Sequence, residues 1–305
     1  MAPLPPRFSV GNQHGFALPV VLGISLIILI VASSITAHLR TRVQMARELE
    51  NRAQAFLKLR SGYARTLYGV LTGGFRPSGI QANTTSGKTS YWNLYGKPIE
   101  LAPGITVQIR DVAGMIPIHQ GGKDLRQLVY QLTGDPEKAA RFADTLMDWQ
   151  DEDRFKRLNG AETWEYRKAG LDYTPRNYKI QLPSEIKLVA GFSPEIYDKL
   201  MQSVTYVAAE HRNYLTMDRQ TLNALINGEE LVDTIIELRA EGALTPARFR
   251  RITGIPTSMT IAYFPSTKLV IQLRATHEAA KASLSAVIEK REGQSAPFQI
   301  LEWRP

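Results

Sequence analysis

An apolar run near the amino terminus sets the first limit on how this chain of 305 residues folds. No charged residue occurs from Phe16 to Ala37, which matches the roughly 20 residues that a helix needs to cross a hydrocarbon core of ~30 Å. A secretory signal has a shorter apolar region, about 7–15 residues, followed by a break in the pattern. The run therefore predicts a membrane-spanning helix that is retained.

Helical periodicity continues without interruption beyond this run. From Val43 to Val70 apolar residues recur every three or four positions, and charged residues such as Arg47 and Glu48 fill the other face. We expect a single helix, half in lipid and half packed on a soluble domain; a membrane helix followed by a juxtamembrane coiled segment is the alternative. Pro19 is tolerated at the start of this helix because a first-turn N–H has no intrahelical partner.

The charges that flank the apolar run favour a cytoplasmic carboxyl-terminal side. Residues 1–15 carry one charged side chain, Arg7, whereas Arg40, Arg42 and Arg47 follow the run. Basic residues accumulate on the cytoplasmic side of membrane helices. This count conflicts with the orientation that the leader pattern implies below.

The composition of the chain argues against several classes of function. The net charge of +8 comes from 37 basic and 29 acidic residues that are mixed along the chain, so we expect a solvated mixed surface and no nucleic-acid partner. The absence of cysteine excludes disulfides, Cys-ligated zinc and thiol catalysis. No HExxH, GxSxG or Walker sequence occurs, and no enzyme activity is predicted.

The polar part of the chain alternates between strand and helix patterns. The Gly-, Ser- and Thr-rich stretch 73–88 is interpreted as a loop, and strands are expected at 99–101 and 105–110. Helix patterns and N-caps place helices at 124–132, 136–149, 184–190, 193–203, 219–227, 230–240 and 246–252. Strand patterns return at 260–264, 268–276, 283–290 and 298–303. The fold class is therefore α+β: a long N-terminal helix on an antiparallel sheet, with a large all-α insertion between strands.

Carboxylates crowd one loop within the helical block. They are Asp148, Asp151, Asp153, Glu162 and Glu165. Hard oxygen ligands of this kind suit Ca²⁺, which takes six to eight oxygens, although the spacing is not that of an EF-hand. Arg154, Lys156 and Arg157 lie among them, so mutual salt pairing is the alternative.

A short leader ending in Gly15 before Phe16 is typical of pilin precursors. Three internal stretches stand out in the part that follows: Asp111-Val-Ala-Gly-Met-Ile, Leu146-Met-Asp-Trp-Gln-Asp-Glu-Asp and Ser184-Glu-Ile-Lys-Leu-Val-Ala-Gly. Together with the order of the predicted elements, they resemble general secretion pathway protein K, a family of minor pseudopilins of type II secretion systems with a type IV pilin-like fold. The family's Asn-x-Asn-Thr-Ala segment reads Asn-Tyr-Leu-Thr-Met at 213–217, which puts the second helical subdomain in doubt.

The resemblance implies specific residue roles. A prepilin peptidase would cut after Gly15, and the new terminal Phe16 would be N-methylated. Val20 stands where most pilins keep a glutamate, as is typical of the subunit at the tip. The acidic loop would bind calcium. The implied partners are the I-type and J-type minor pseudopilins, the major pseudopilin and the prepilin peptidase.

The resemblance also implies a layout and a location. The expected segments are a leader (1–15), a transmembrane helix (16–39), its amphipathic continuation (40–72), pilin-like strands (73–118), a helical insertion (119–257) and C-terminal antiparallel strands (258–305). The chain would cross the inner membrane once, with a cytoplasmic N-terminus and a periplasmic C-terminal domain, and would initiate or cap a pseudopilus for protein export across the outer membrane. The alternative is a membrane-anchored periplasmic metal-binding protein or enzyme with an uncleaved N-terminus.

Overall fold

The computed structural model describes residues 17–83, 87, 89–120, 122–226, 228–291, 293 and 295–304. Its first element is one helix, α1 (Ala17–Thr72), of 56 residues. The prediction of a single uninterrupted helix is thus confirmed, and Pro19 lies in its first turn. Among the described residues one helix is long and apolar enough to cross a membrane, with a mean hydropathy of 2.7 over its most apolar window. The chain therefore carries a single-pass anchor at its amino-terminal end.

The remaining elements come in runs of strands and runs of helices along the chain, as an α+β fold class requires. The strands are β1 (Gly74–Arg76), β2 (Gly79–Asn83), β3 (Thr89–Asn93), β4 (Ile99–Ala102), β5 (Ile105–Asp111), β6 (Ile116–Pro117), β7 (Val204–Thr205), β8 (Lys268–His277), β9 (Ala280–Lys290) and β10 (Phe298–Arg304). The helices are α2 (Gly122–Thr133), α3 (Pro136–Gln150), α4 (Thr163–Lys168), α5 (Tyr197–Ser203), α6 (Arg219–Leu225), α7 (Glu229–Ala240) and α8 (Pro246–Thr253). The insertion falls between β5 and β8, and it is mostly helical where the sequence predicted all-α, because the short parallel strands β6 and β7 pair within it.

The main sheet has five antiparallel strands in the order β10-β9-β8-β5-β4. The carboxyl half of α1 packs on it, and Leu59 and Val70 are buried in the shared core. Gly62 permits this approach, because a Cβ at that position would lie 2.7 Å from Cγ2 of Ile105. The pilin-like layout, a long helix on an antiparallel sheet, is confirmed.

Two strands replace the loop that the composition of 73–88 predicts. β1 and β2 pair antiparallel, β2 pairs with β3, and Ile80 and Ala82 are fully buried. The prediction was wrong because tertiary packing outweighs local turn propensity. Trp92 covers these strands and approaches Gly69 of α1, where a Cβ would lie 2.4 Å from the indole. A glycine on the helix therefore makes room for the small sheet.

The expected strand at 260–264 was also wrong. The segment forms only isolated bridges, Ser258 with Ile261 and Arg212 with Ile261. Its apolar side chains join a helical core instead of a sheet, since Ile261 and Tyr263 pack with Phe249 of α8. The segment at 184–190 likewise forms a 3-10 turn, Pro183–Leu188, in place of an α-helix.

The insertion contains two helical groups with separate cores. The first is built from α2 to α5 around Phe142, Leu146 and Tyr166. The second is built from α6 to α8 around Leu222 and Phe249. The departure from the family pattern at 213–217 does not disrupt it: Asn213 caps a 3-10 turn, and its side-chain oxygen accepts the Leu215 N–H at 3.1 Å.

Candidate functional site

The acidic loop joins two helices of the first helical group. Asp148 lies in the last turn of α3, Asp151 follows that helix directly, and Glu162 immediately precedes α4. α3 begins where the sequence predicts, because the Asp135 carboxylate accepts the backbone N–H groups of residues 137 and 138. The loop reverses the direction of the chain, so the carboxylates at the end of α3 and at the start of α4 lie close together.

Asp148 is fully buried and is paired with a cation. Its carboxylate accepts the Arg157 backbone N–H at 3.2 Å and Nη1 of the same residue at 2.7 Å. Arg157 Nη1 also contacts Oδ2 of Asp151. Burial raises the pKa of Asp148, and the hydrogen bonds from Arg157 act against that rise. The role of Asp148 is therefore the ion pair with Arg157, which is the alternative to calcium binding that the sequence left open.

Three carboxylates converge beside this pair. Asp151, Asp153 and Glu162 each place one oxygen within 4.8 Å of the oxygens of the other two. Glu162 is only 6% exposed, and its carboxylate receives no side-chain donor among the described residues; only backbone N–H groups at the start of α4 approach it. Oδ1 of Asp151 is buried without a partner. Buried acceptors without donors are costly, so the cluster has the chemistry of a cation site.

Burial and neighbouring negative charge raise the pKa of Glu162 to about 7, with the carboxylates of Asp148 and Asp151 as the main neighbours. The protonated form therefore stabilises the fold below the ordinary pKa of a glutamate. That contribution is lost as the pH rises through about 7, where the buried carboxylate must ionise. A bound cation would reverse this cost by compensating the charge.

Glu165, the fifth carboxylate predicted as a ligand, lies outside the cluster. It forms a 2.9 Å ion pair with Lys156 and accepts the backbone N–H of Glu162 at 3.0 Å. Partial burial acts to raise its pKa, but these hydrogen bonds outweigh it and the pKa is lowered. The structure thus brings together Asp151, Asp153 and Glu162. The other two carboxylates are paired with basic side chains, Asp148 with Arg157 and Glu165 with Lys156.

Asp144 on α3 also binds this loop, and it was not among the residues predicted from the sequence. Its carboxylate accepts Nη2 of Arg126 at 2.7 Å and Nδ2 of Asn159 at 2.8 Å. It lies one helical turn before Asp148, so both carboxylates face the loop. The i, i+4 spacing of two aspartates on α3 was the signal available in the sequence.

The apolar half of α1 is the second functional surface. From Leu18 to Ile35 its large apolar side chains are 49–73% exposed, with Val20 at 49%. Gly15 and Phe16, the predicted cleavage and methylation residues, lie outside the described residues. An apolar helix face of this length is covered by lipid or by other helices, because the described chain offers it no cover.

Comparison with protein families gives a match within the insertion. The family model described as Type II secretion system (T2SS), protein K matches residues 119–209. This segment contains the acidic loop and the first helical core.

Relatives and a solved structure extend the match beyond that segment. Type II secretion system protein K of Klebsiella pneumoniae is 28% identical over 248 residues, which are 75% of this chain and 74% of that protein. The protein of the same description from Dickeya chrysanthemi is 35% identical over 79 residues, 26% of this chain and 21% of its own length. A chain in the crystal structure of the GspK-GspI-GspJ complex from the enterotoxigenic Escherichia coli Type 2 Secretion System has the same fold: the TM-score is 0.55 with 17% identity, covering 85% of this chain and 98% of that chain.

Proposed function

We propose, on the premise that this chain belongs to the protein K family of type II secretion systems, that it acts as a minor pseudopilin at the tip of the pseudopilus. There it would initiate or cap the assembly that exports proteins across the outer membrane. The observation that carries the proposal is α1, a single helix with an exposed apolar amino half and a carboxyl half covered by the sheet. This role requires assembly and no catalytic step.

The residue at position 20 supports a place at the tip. A carboxylate within hydrocarbon costs about 2.5–3.5 kcal/mol unless it is paired. A subunit with no neighbour above it has no terminal amine to pair with such a carboxylate. Val20 is apolar and exposed, so it carries no such cost. The helical insertion supports the same place, because two additional helical cores enlarge the soluble part beyond helix and sheet.

The proposed partners are the I-type and J-type minor pseudopilins, the major pseudopilin and the prepilin peptidase. The first two correspond to the other subunits named for the GspK-GspI-GspJ complex. The apolar face of α1 supplies the surface on which their helices would pack within the membrane. The proposed orientation places the soluble part in the periplasm and the N-terminus in the cytoplasm, which follows the leader pattern against the positive-inside count.

Mass spectrometry of the chain purified from membranes that contain prepilin peptidase tests this function. We expect a mature protein that begins with N-methylated Phe16. Gly15→Val should leave the leader attached, because the peptidase needs close access to the backbone at that position. Gly11→Val, a matched change in the same leader, should be processed normally. An intact Met1 in the wild type, or a cut beyond Ala32, would instead favour a membrane-anchored metal-binding protein and would reject the pseudopilin.

We propose further that the acidic loop binds calcium through Asp151, Asp153 and Glu162. The fit rests on the convergence of these carboxylates, on the buried Oδ1 of Asp151 that lacks a partner, and on the buried Glu162 carboxylate, which has no side-chain donor among the described residues. Carboxylate oxygens are the ligands that calcium prefers. Bound there, the ion would compensate buried negative charge and tie the end of α3 to the start of α4.

Thermal unfolding of the full chain in detergent, with calcium or with EGTA, tests the site. At a calcium concentration of 100 Kd the fold should gain about 2.7 kcal/mol, a rise in Tm of about 5 °C or more. Glu162→Gln should abolish this gain, yet in EGTA at pH 8 it should melt at or above the wild-type temperature, because it removes a buried uncompensated charge.

Glu152→Gln is the matched control for the calcium test. Glu152 is exposed in the same loop and outside the converging group, so its variant should keep the full calcium-dependent rise. A wild-type chain with the same Tm in calcium and in EGTA would overturn the site and leave salt pairing as the account of the loop.

A further inference from the structure

Two arginines are buried at the junction between the main sheet and the second helical group. Arg110 on β5 is 7% exposed, and Arg239 on α7 is 6% exposed. Neither forms an ion pair with any carboxylate of the described residues, whereas buried guanidinium groups are normally paired. Their positive charges are therefore uncompensated by direct contact.

The neutral contacts of both side chains leave donors unused. Arg110 donates Nη1 to Oε1 of Gln272 at 2.9 Å. Arg239 donates Nη1 to the Met217 carbonyl at 2.7 Å and Nη2 to the Tyr214 carbonyl at 3.5 Å, and it stacks over the ring of Tyr95 at 4.4 Å. The Nε of each arginine is buried and lacks a hydrogen-bond partner among the described residues. Neither guanidinium group is therefore fully satisfied within the fold.

Burial also disfavours the charged form of both groups. It lowers the pKa of Arg239 to about 10, although the nearby hydroxyl of Tyr95 acts in the opposite direction. It lowers the pKa of Arg110 as well, against the attraction of the Asp218 carboxylate. An anion in contact with the guanidinium groups would relieve this cost.

Both arginines line one cavity of about 340 Å³. Lys97 and Arg219 add positive charge to its lining, and Asp218 is the one acidic residue among the described lining residues. The carboxylate of Asp218 is already engaged, since it caps α6 through the Thr221 N–H at 2.6 Å and accepts the hydroxyl of Ser203 at 3.1 Å. The lining is therefore net positive, even though Arg219 is paired with Asp233.

The backbone conformation of Gly96, at the rim of the cavity, leaves room for the Arg110 side chain. Gly96 has φ of +80°, and a Cβ there would lie 2.5 Å from Nε of Arg110. A glycine is therefore required for the Arg110 guanidinium to lie where it does.

We propose that this cavity binds an oxyanion, a single carboxylate or phosphate group, which accepts hydrogen bonds from Arg110 and Arg239. Guanidinium groups suit such anions because their planar donors match two oxygens at once. The volume falls within the range of small-ligand pockets, so a free anion fits, and so does an acidic side chain from a neighbouring subunit. The site lies apart from the acidic loop and does not depend on calcium.

Titration calorimetry of the full chain in detergent with inorganic phosphate tests the proposal. Ionic strength is held constant with chloride so that the screening of charges stays the same throughout the titration. Arg110→Gln should weaken phosphate binding about tenfold or more, since it removes a charge-assisted hydrogen bond. Arg274→Gln is the matched control: this arginine lies on the neighbouring strand β8, is exposed and does not line the cavity.

A rim variant keeps the test valid if the buried variants fail to fold. Lys97 is exposed, and its side chain forms no hydrogen bond or ion pair within the part of the chain that the structure describes. Lys97→Gln should therefore leave the circular dichroism spectrum unchanged and weaken phosphate binding about threefold through the loss of one nearby charge. Absence of phosphate binding by the wild type, or equal affinity in wild type, Arg110→Gln and Lys97→Gln, would overturn the site.

Repeating the titration on the assembled minor pseudopilins separates the two sources of the anion. If a neighbouring subunit inserts an acidic side chain, the assembled form should no longer bind phosphate. If the natural ligand is a free anion, affinity should be the same before and after assembly. Phosphate binding by the isolated chain stands in either case, and it would also stand if the pseudopilin assignment failed.

Discussion

Replacing Asp111 with alanine is expected to lower the free energy of unfolding by about 3–5 kcal/mol. The carboxylate is fully buried where β5 leaves the sheet. It accepts the hydroxyl of Ser266 at 2.7 Å, the hydroxyl of Thr216 at 2.8 Å and the Ala113 N–H at 3.1 Å. The Ser266 N–H also donates to it at 3.0 Å. Alanine would leave the buried N–H groups of Ala113 and Ser266 without an acceptor, whereas the two hydroxyls also have backbone carbonyls within reach.

Thermal unfolding of the full chain in detergent, followed by circular dichroism, measures the effect. Asp198→Ala is the matched control, because Asp198 is exposed on α5 and its loss should change the free energy by less than about 0.5 kcal/mol. A melting temperature of Asp111→Ala within one degree of the control would show that the junction tolerates unsatisfied donors.

Substituting Gly114 with alanine should cost about 2–3 kcal/mol by steric overlap alone. Gly114 ends a buried 3-10 turn directly after β5. A Cβ there would lie 2.6 Å from the carbonyl oxygen of Thr216 and 2.7 Å from its hydroxyl. The oxygen belongs to the backbone of a second buried turn, so it cannot move aside without displacing the second helical group.

Gly122→Ala provides the comparison for this variant. A Cβ at position 122 would meet no atom within 4 Å, and its φ is not in the left-handed region. We expect unchanged or slightly increased stability, as is usual for a glycine to alanine change at a compatible site. Urea unfolding followed by tryptophan fluorescence should separate the two variants clearly. Equal midpoints would mean that the junction is loosely packed.

Local signals predicted most helices and the C-terminal hairpin. The N-caps Asp135 and Thr245, each followed by proline, begin α3 and α8 as their sequence patterns indicate. Alternation over 268–276 and 283–290 correctly predicts β8 and β9, which pair antiparallel. These elements were accessible because caps and periodicity act within a few residues.

The missed elements depend on contacts between distant segments. β1 and β2 form in a stretch of turn-like composition, because α1 and Trp92 bury Ile80 and Ala82. Conversely, 260–264 has a strand pattern but contributes Ile261 and Tyr263 to a helical core. Pattern alone does not tell a strand from another buried apolar segment.

In the candidate sites too, local sequence signals predicted some features, and contacts between distant segments determined the rest. Composition located the acidic loop, but only the chain reversal determines that Glu162 meets Asp151 and Asp153 while Arg157 pairs with Asp148. The two buried arginines gave no sequence signal, because Arg110 and Arg239 are far apart along the chain and each lies in an ordinary amphipathic element.

The continuity of α1 has a mechanical consequence. At 1.5 Å per residue, its 56 residues form a rod of about 84 Å that joins the lipid bilayer to the sheet. Its one proline lies in the first turn, so no kink or linker separates the two halves. An axial displacement of the exposed amino-terminal half would therefore be transmitted along the helix to the carboxyl-terminal half, and the sheet packed on that half would move with it.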